Sequence, residues 1–297
     1  MISKGAAMEE SISICKDYNI DIDTAMDLVL ESSLYDYDDE IATESLLGKS
    51  MRFGPRFLSG IKRLCSFIAN AIRAIIAKLT KKDKTREVKL EKIGNSVGSY
   101  ILKSAEMISS DVAKLAETCG KNVKDIAKTI KPAYDAVKSS SNASMNLSFT
   151  INHNPEDLKY KAGNINTRFT YLKDYCTKME DKYSSDKTKI NFVAASIADL
   201  IKKDNANKIV DKLNSLNNDL EELRDKSNNI VGICSNYNNA RNPSQTKEEK
   251  EQQKFVCQWS NTAYSYIKTT ATTVSIINEI MCSKALHVPA VFFNSKP

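Results

Sequence analysis

Apolar side chains recur at steps of three and four along most of this chain, the spacing that gathers one face of an α-helix. The cleanest run is Leu158, Ala162, Ile165, Phe169, Leu172, Cys176, Met179 and Tyr183, which alternates steps of four and three through more than three heptads. Asn154-Pro155-Glu156 stands at its head as an N-cap, a proline at the first helical position and an acid in the first turn. So narrow a seam wants a partner helix. A second seam follows at Leu213, Leu216, Leu220 and Leu223, with Ile230 and Cys234 in register. After the Asn-rich stretch 236–244, Thr246 and Glu249 form a capping box for a last helix carrying Val256, Trp259, Ala263, Tyr266, Val274 and Ile277. Two seams on consecutive helices can satisfy one another, or either can serve as a zipper to a second copy of the chain. The fold class expected is mostly α: an elongated helical bundle or antiparallel coiled-coil hairpin over 155–285. Residues 286–297, with Pro289, read as an irregular tail.

Earlier in the chain the same period marks further helices. From 89 to 138 the positions Ile93, Val97, Ile101, Ala105, Ile108, Val112, Leu115, Cys119, Val123, Ile126 and Ile130 form one stripe, with breaks expected at Gly120 and Pro132. SSSNAS (139–144) reads as a linker, and residues 145–153 as a short, extended piece. Residues 57–79 follow a Phe53-Gly54-Pro55 break and carry Phe57, Ile61, Leu64, Ile68, Ile72, Ile75, Ile76 and Leu79 on one stripe. Residues 1–33 read as one or two short helices, with Asp23 capping an apolar set at Ala25, Met26, Val29 and Leu30. The expected organisation is an acidic segment 1–44, a basic amphipathic region 45–85, a helix or helix pair 86–138, and the bundle, from which the amino-terminal third is separable.

Charge sharpens this division. Residues 1–44 hold twelve acidic side chains against Lys4 and Lys16, a net of −10, whereas 45–297 carry 41 basic and 25 acidic groups, a net of +16. Residues 52–82 contain Arg52, Arg56, Lys62, Arg63, Arg73, Lys78, Lys81 and Lys82 and no acid. Such asymmetry speaks of partners and solubility. Three readings of 52–82 stay open. It is a membrane-surface helix, its stripe in the headgroup boundary and its cations on anionic lipid; a non-specific DNA contact; or a helix docked on the bundle with a solvated basic face. The acidic segment is either an exposed tail or a removable propeptide that shields the basic body until cleavage.

Enzymatic chemistry finds no foothold. His153 and His287 stand alone, and no phosphate loop, nucleophile elbow or paired-cysteine motif occurs. The seven cysteines are scattered, without metal-like spacing, as expected in a reducing compartment. No metal or cofactor is expected. There is no signal-like amino terminus and no 18-residue window free of charge, which points to a cytoplasmic chain unless it is packaged elsewhere.

The first 85 residues resemble the internal head proteins of large tailed bacteriophages. These begin with an acidic, Glu- and Ser-rich propeptide ending in a small-or-aliphatic-x-Glu site that a prohead protease cuts, and a basic helical body follows. Ala42-Thr43-Glu44, followed by Ser45, resembles that site; Leu28-Val29-Leu30-Glu31-Ser32 is a poorer second match and Ala7-Met8-Glu9 a third. The resemblance implies a non-enzymatic virion protein, cleaved after Glu44, located in the phage head with DNA or ejected with it. Its partners would be DNA and capsid or other virion proteins. The rival reading is a peripheral membrane or scaffold adaptor, with helix 57–79 as anchor and the coiled coil as partner interface.

Overall fold

The computed structural model describes residues 45–80, 96–138, 154–184, 191–239 and 247–290. The fold is mostly α. Its elements are α1 (Ser45–Thr80), α2 (Ser96–Lys138), α3 (Pro155–Ser184), β1 (Phe192–Ala195), α4 (Ile197–Leu200), α5 (Lys203–Asn239), α6 (Lys247–Cys282) and β2 (Leu286–Pro289). The expected helices over 1–33, the linker 139–144, the extended piece 145–153 and the capping residue Thr246 lie outside the described residues.

Four long helices close a ring: α1 packs on α5, α5 on α2, α2 on α6, and α6 on α1. Side-chain pairs fix their directions. Glu106 and Glu117 of α2 meet Lys202 (3.1 Å) and Lys212 (3.0 Å) at and within the start of α5, so α2 and α5 run parallel. Trp259 near the start of α6 reaches Thr129 near the end of α2, so that pair is antiparallel. Lys78 at the end of α1 holds Asp199, just ahead of α5, while Cys65 lies beside Arg224 further along α5; α1 and α5 are antiparallel. The fifth long helix, α3, lies outside the ring in the groove between α2 and α6. It runs against α2, with Arg168 paired to Asp111 and the Tyr175 ring tilted against that of Tyr100.

The core is the set of apolar stripes read from the sequence. Ile61, Leu64, Ile68, Ile72, Ile75 and Leu79 of α1 join Ile101, Ile108, Leu115 and Ile126 of α2, Leu213 to Leu223 of α5 and Trp259, Ile267, Val274 and Ile277 of α6. Burial of such stripes supplies the drive, at about 25 cal/mol per Å² of apolar surface removed from water. The amino-terminal helices are therefore not separable from the rest: α1 and α2 are half of the bundle, because their stripes have no other apolar face on which to close. Nor do the two heptad seams take each other as main partners. The α3 seam, buried from Leu158 to Cys176, packs on α2 and α6, and the α5 seam packs on α1 and α2.

Three expected punctuation marks leave the helices intact. α1 runs through Gly54-Pro55, and α2 runs through Gly120 and Pro132. A proline costs an interior helix about 3 kcal/mol, which the long packed stretches beyond Ile61 and before Ile130 offset. At Gly120 a methyl would stand 3.8 Å from Asp219 Oδ2 and 4.0 Å from Leu216 Cα, ordinary contact distances, so the packing of α5 on α2 leaves room for a side chain there.

The tail expected to be irregular from residue 286 instead begins with β2, antiparallel to β1 in the register Phe192↔Pro289 to Ala195↔Leu286. Leu286 and Val288 point inward and His287 outward, the period-two pattern of a half-buried strand. Pro289 falls at the end of this two-stranded ribbon, where a strand tolerates a missing N–H. The ribbon lies against α3. There His287 Nδ1 sits 2.6 Å from Glu180 Oε2.

Candidate polyanion-binding face

α1 divides its side chains cleanly. Because it carries an apolar residue every three or four positions, one side is fixed on the ring. Ile61, Ile68, Ile72 and Ile75 are fully buried, Leu64 and Leu79 nearly so, and Ile76 is half-buried. The opposite side holds Lys62, Arg63, Ser66, Asn70, Arg73 and Ala77, with Lys62, Arg63, Asn70, Arg73 and Ala77 exposed. The residues between the cations are small, so the face is smooth. Arg73 Nη1 donates to Asn70 Oδ1 at 3.1 Å, a neutral partner.

Other helices keep their own acids beside their bases. On α2 Lys114, Lys121 and Lys128 pair with Asp111, Glu117 and Asp125 three or four residues away, and on α3 Lys159 and Lys161 pair with Glu156 and Asp157. Among the described helices longer than one turn, α1 alone has no acid within it. A helix without acids of its own lends its outer face positive charge, and a positive potential draws polyanions.

Lys78, one of the expected contact residues, is engaged within the fold. Half-buried, it bonds Asp199 at 3.1 and 3.3 Å, and Asp199 Oδ2 also accepts the Ser196 backbone N–H (2.9 Å) and hydroxyl (2.7 Å). Burial pushes the Asp199 carboxyl up, but the bonds from Ser196 and Lys78 outweigh it and leave the group below its ordinary range. Lys78 is thus a structural cation that ties the end of α1 to α4. This junction is legible in sequence only as the S-x-x-D capping pattern of Ser196 and Asp199, which the reading above passes over.

Of the remaining expected site residues, Ser45 opens α1, and Arg52, Arg56 and Phe57 belong to the same helix. Ala42, Thr43, Glu44, Lys81 and Lys82 lie outside the described residues. From Ile61 onward the apolar stripe offered as a membrane face lies in the core of the bundle, so in this fold that stretch is closed to lipid. Among the described residues no helix is long and apolar enough to cross a membrane.

No family model, curated protein or solved structure matches this chain. The site therefore has to be read from its own chemistry. Nucleophiles are subdued: burial pushes the thiols of Cys65, Cys119 and Cys176 up to about 12, and that of Cys282 to about 11. Such thiols stay protonated at neutral pH and act as small apolar side chains. Among the described residues no three His, Cys, Asp or Glu side chains gather as a metal would need. His153 lies outside the described residues, and His287 meets a single carboxylate on the ribbon. What the outer face of α1 offers is electrostatic contact.

Proposed function

We propose that this chain is a non-enzymatic internal structural protein of a phage virion. It is cleaved between Glu44 and Ser45, and its basic helical body binds packaged DNA without sequence preference. One observation carries the choice of DNA over lipid: α1 turns its apolar stripe into the core and its acid-free cationic face outward. Phosphate binding needs only the outward face, whereas lipid insertion needs the stripe. The adaptor reading, with helix 57–79 as anchor, would require that stripe to leave the bundle. Support for the cleavage step is the coincidence of the Ala42-Thr43-Glu44 motif with the charge switch. It leaves a product of net +16.

A gel-shift series with random-sequence duplex tests the DNA contact. Affinity should fall on rising salt with a logarithmic slope of about −3 or steeper, since each neutralised phosphate contributes about 0.9. The double variant Lys62→Glu, Arg73→Glu should bind at least tenfold more weakly. Absence of binding at low salt, or equal binding by the variant, overturns the reading. Intact mass of the protein from its native particle tests processing: the expected product begins at Ser45, and a retained Met1 end refutes the cleavage.

A further inference from the structure

We propose that the outer side of α3 is a self-pairing face, on which a second copy of this chain docks antiparallel across a two-fold axis at Thr167. The contact is independent of any binding of DNA.

The heptad seam of α3 is closed on α2 and α6, so a partner helix can meet only the opposite side. There Tyr160, Gly163, Thr167, Tyr171, Asp174 and Lys178 follow one another at steps of three and four, with Glu156 one step before them, and all are exposed. Tyr160 and Tyr171 are the most exposed of the large apolar side chains described, at 70% and 67%. Between them a Cβ added to Gly163 would meet nothing within 4 Å, so the two rings flank an open notch.

The spacing of this stripe reads the same in both directions from Thr167. Turning the helix end for end about that residue lays the stripe on itself, which is what an isologous contact requires. Tyr171 then stands level with Gly163 of the second copy, and the missing side chain lets the helix axes approach toward the near end of the usual range of about 8–10 Å. Glu156 comes level with Lys178 of the second copy, and Lys159 with Asp174 to within about 1.5 Å, the rise of one residue. Glu156 and Lys159 are themselves an exposed pair at 2.7 Å. Each end of the contact therefore joins four charges of alternating sign, and this complementarity selects a second copy as the occupant. Closing the face strands no hydroxyl near the axis, because Thr167 and Thr170 donate to the carbonyls of Gly163 (2.9 Å) and Asn166 (3.1 Å).

Size sets the strength. The stripe from Glu156 to Lys178 is about 33 Å long and one helix, about 10 Å, wide. A footprint of that size buries less than about 1,200 Å² in total, the range of weak and reversible association. The expected dimer is half-formed at about 10–100 µM.

Sedimentation velocity of the full chain over a concentration series tests the pairing, at 0.15 M salt, where net charge is screened beyond about 8 Å. Dimer should accumulate up to about 300 µM. Glu156→Lys and Lys178→Glu each set like charges against one another across the axis, and each should weaken association about fivefold or more. An equimolar mixture of the two variants should regain the native association, since each supplies the charge that the other has lost. A chain that stays monomeric, a dimer that either variant leaves unchanged, or a mixture no tighter than its components overturns the proposal. A second arm places a thiol on the axis. Thr167→Cys should form an intermolecular disulfide with oxidised glutathione, because Cα atoms within about 7 Å can be bridged. Neither the native chain nor Asn166→Cys, which points off the axis, should do so. Equal crosslinking of Thr167→Cys and Asn166→Cys, or none at Thr167→Cys, refutes the two-fold placement.

Discussion

Single side chains in this bundle differ in what they contribute, and several of the differences can be measured. Gly120 sits inside α2 where a Cβ would make only ordinary contacts with Asp219 and Leu216. Alanine lowers the unfolded chain's freedom and suits a helix better by about 0.5–1 kcal/mol. Gly120→Ala should therefore raise the thermal midpoint by a few degrees, as calorimetry would show; a fall would mean that the helices approach more closely than these distances. Trp259, the one tryptophan of the chain, is fully buried and donates its indole N–H to Thr129 Oγ1 at 2.8 Å. Thr129→Val keeps the shape and strands that donor, a loss of about 1–3 kcal/mol, readable as an earlier red shift of Trp259 emission in urea. Asp199 supplies a pH signature. Its folded carboxyl lies below the ordinary range, so the stability it gives is present above the unfolded pKa of about 3.9 and is lost as pH falls through the folded value. Stability of the native chain should drop more steeply below about pH 4 than that of Asp199→Asn, and equal acid limbs would dismiss the junction.

Helices as units show which parts of the fold the periodic pattern makes legible and which it leaves open. The stripes of α1, α2, α5 and α6 are readable residue by residue, because burial on one face imposes a period that sequence preserves. The partner of each stripe is not, since ridge-and-groove packing is nearly indifferent to which apolar helix it meets. That is why the α3 and α5 seams, adjacent in sequence and both heptad-like, close on α2, α6 and α1 rather than on one another. Continuity through Gly120 and Pro132 is opaque for a related reason: local propensity argues for a break, and the tertiary packing that overrides it is non-local. The four-residue strands are too short to show a period against a helical background. In the candidate site, the acid-free composition of 52–82 is plain in the sequence, while the loss of Lys78 to Asp199 needs the fold. α3 differs from the others because it buries one seam and leaves Tyr160 and Tyr171 70% and 67% exposed on its outer side. Fewer buried contacts mean cheaper local opening. Hydrogen exchange should find the central amides of α3 opening at clearly lower free energy than those of α2, and equal protection would show α3 to be an integral member of the ring.

At the scale of the whole molecule, net charge changes sign along the chain, and the described core lies within its basic part. The described core begins at Ile61 and ends at Val288, a single connected cluster to which all the long helices contribute. On the proposed function residues 1–44 act through their charge, so removing them should change what the molecule attracts far more than how firmly it is folded. Exposed ion pairs are worth about 0–1 kcal/mol each, and for a body of this size 1 kcal/mol moves the midpoint by about 2–4 °C. Against this, a chain beginning at Ser45 carries +16 in place of +6, and its self-repulsion acts over about 8 Å at physiological salt but about 30 Å at 0.01 M. The expected result is a processed chain that elutes from a cation exchanger at distinctly higher salt than the full chain. Its thermal midpoint should lie within a few degrees of the full chain at 0.15 M salt and fall below it at 0.01 M, recovering as salt is restored. A large drop at 0.15 M that salt does not repair would place the amino-terminal segment in the hydrophobic core, and the separation of packing from charge on which the function rests would be wrong.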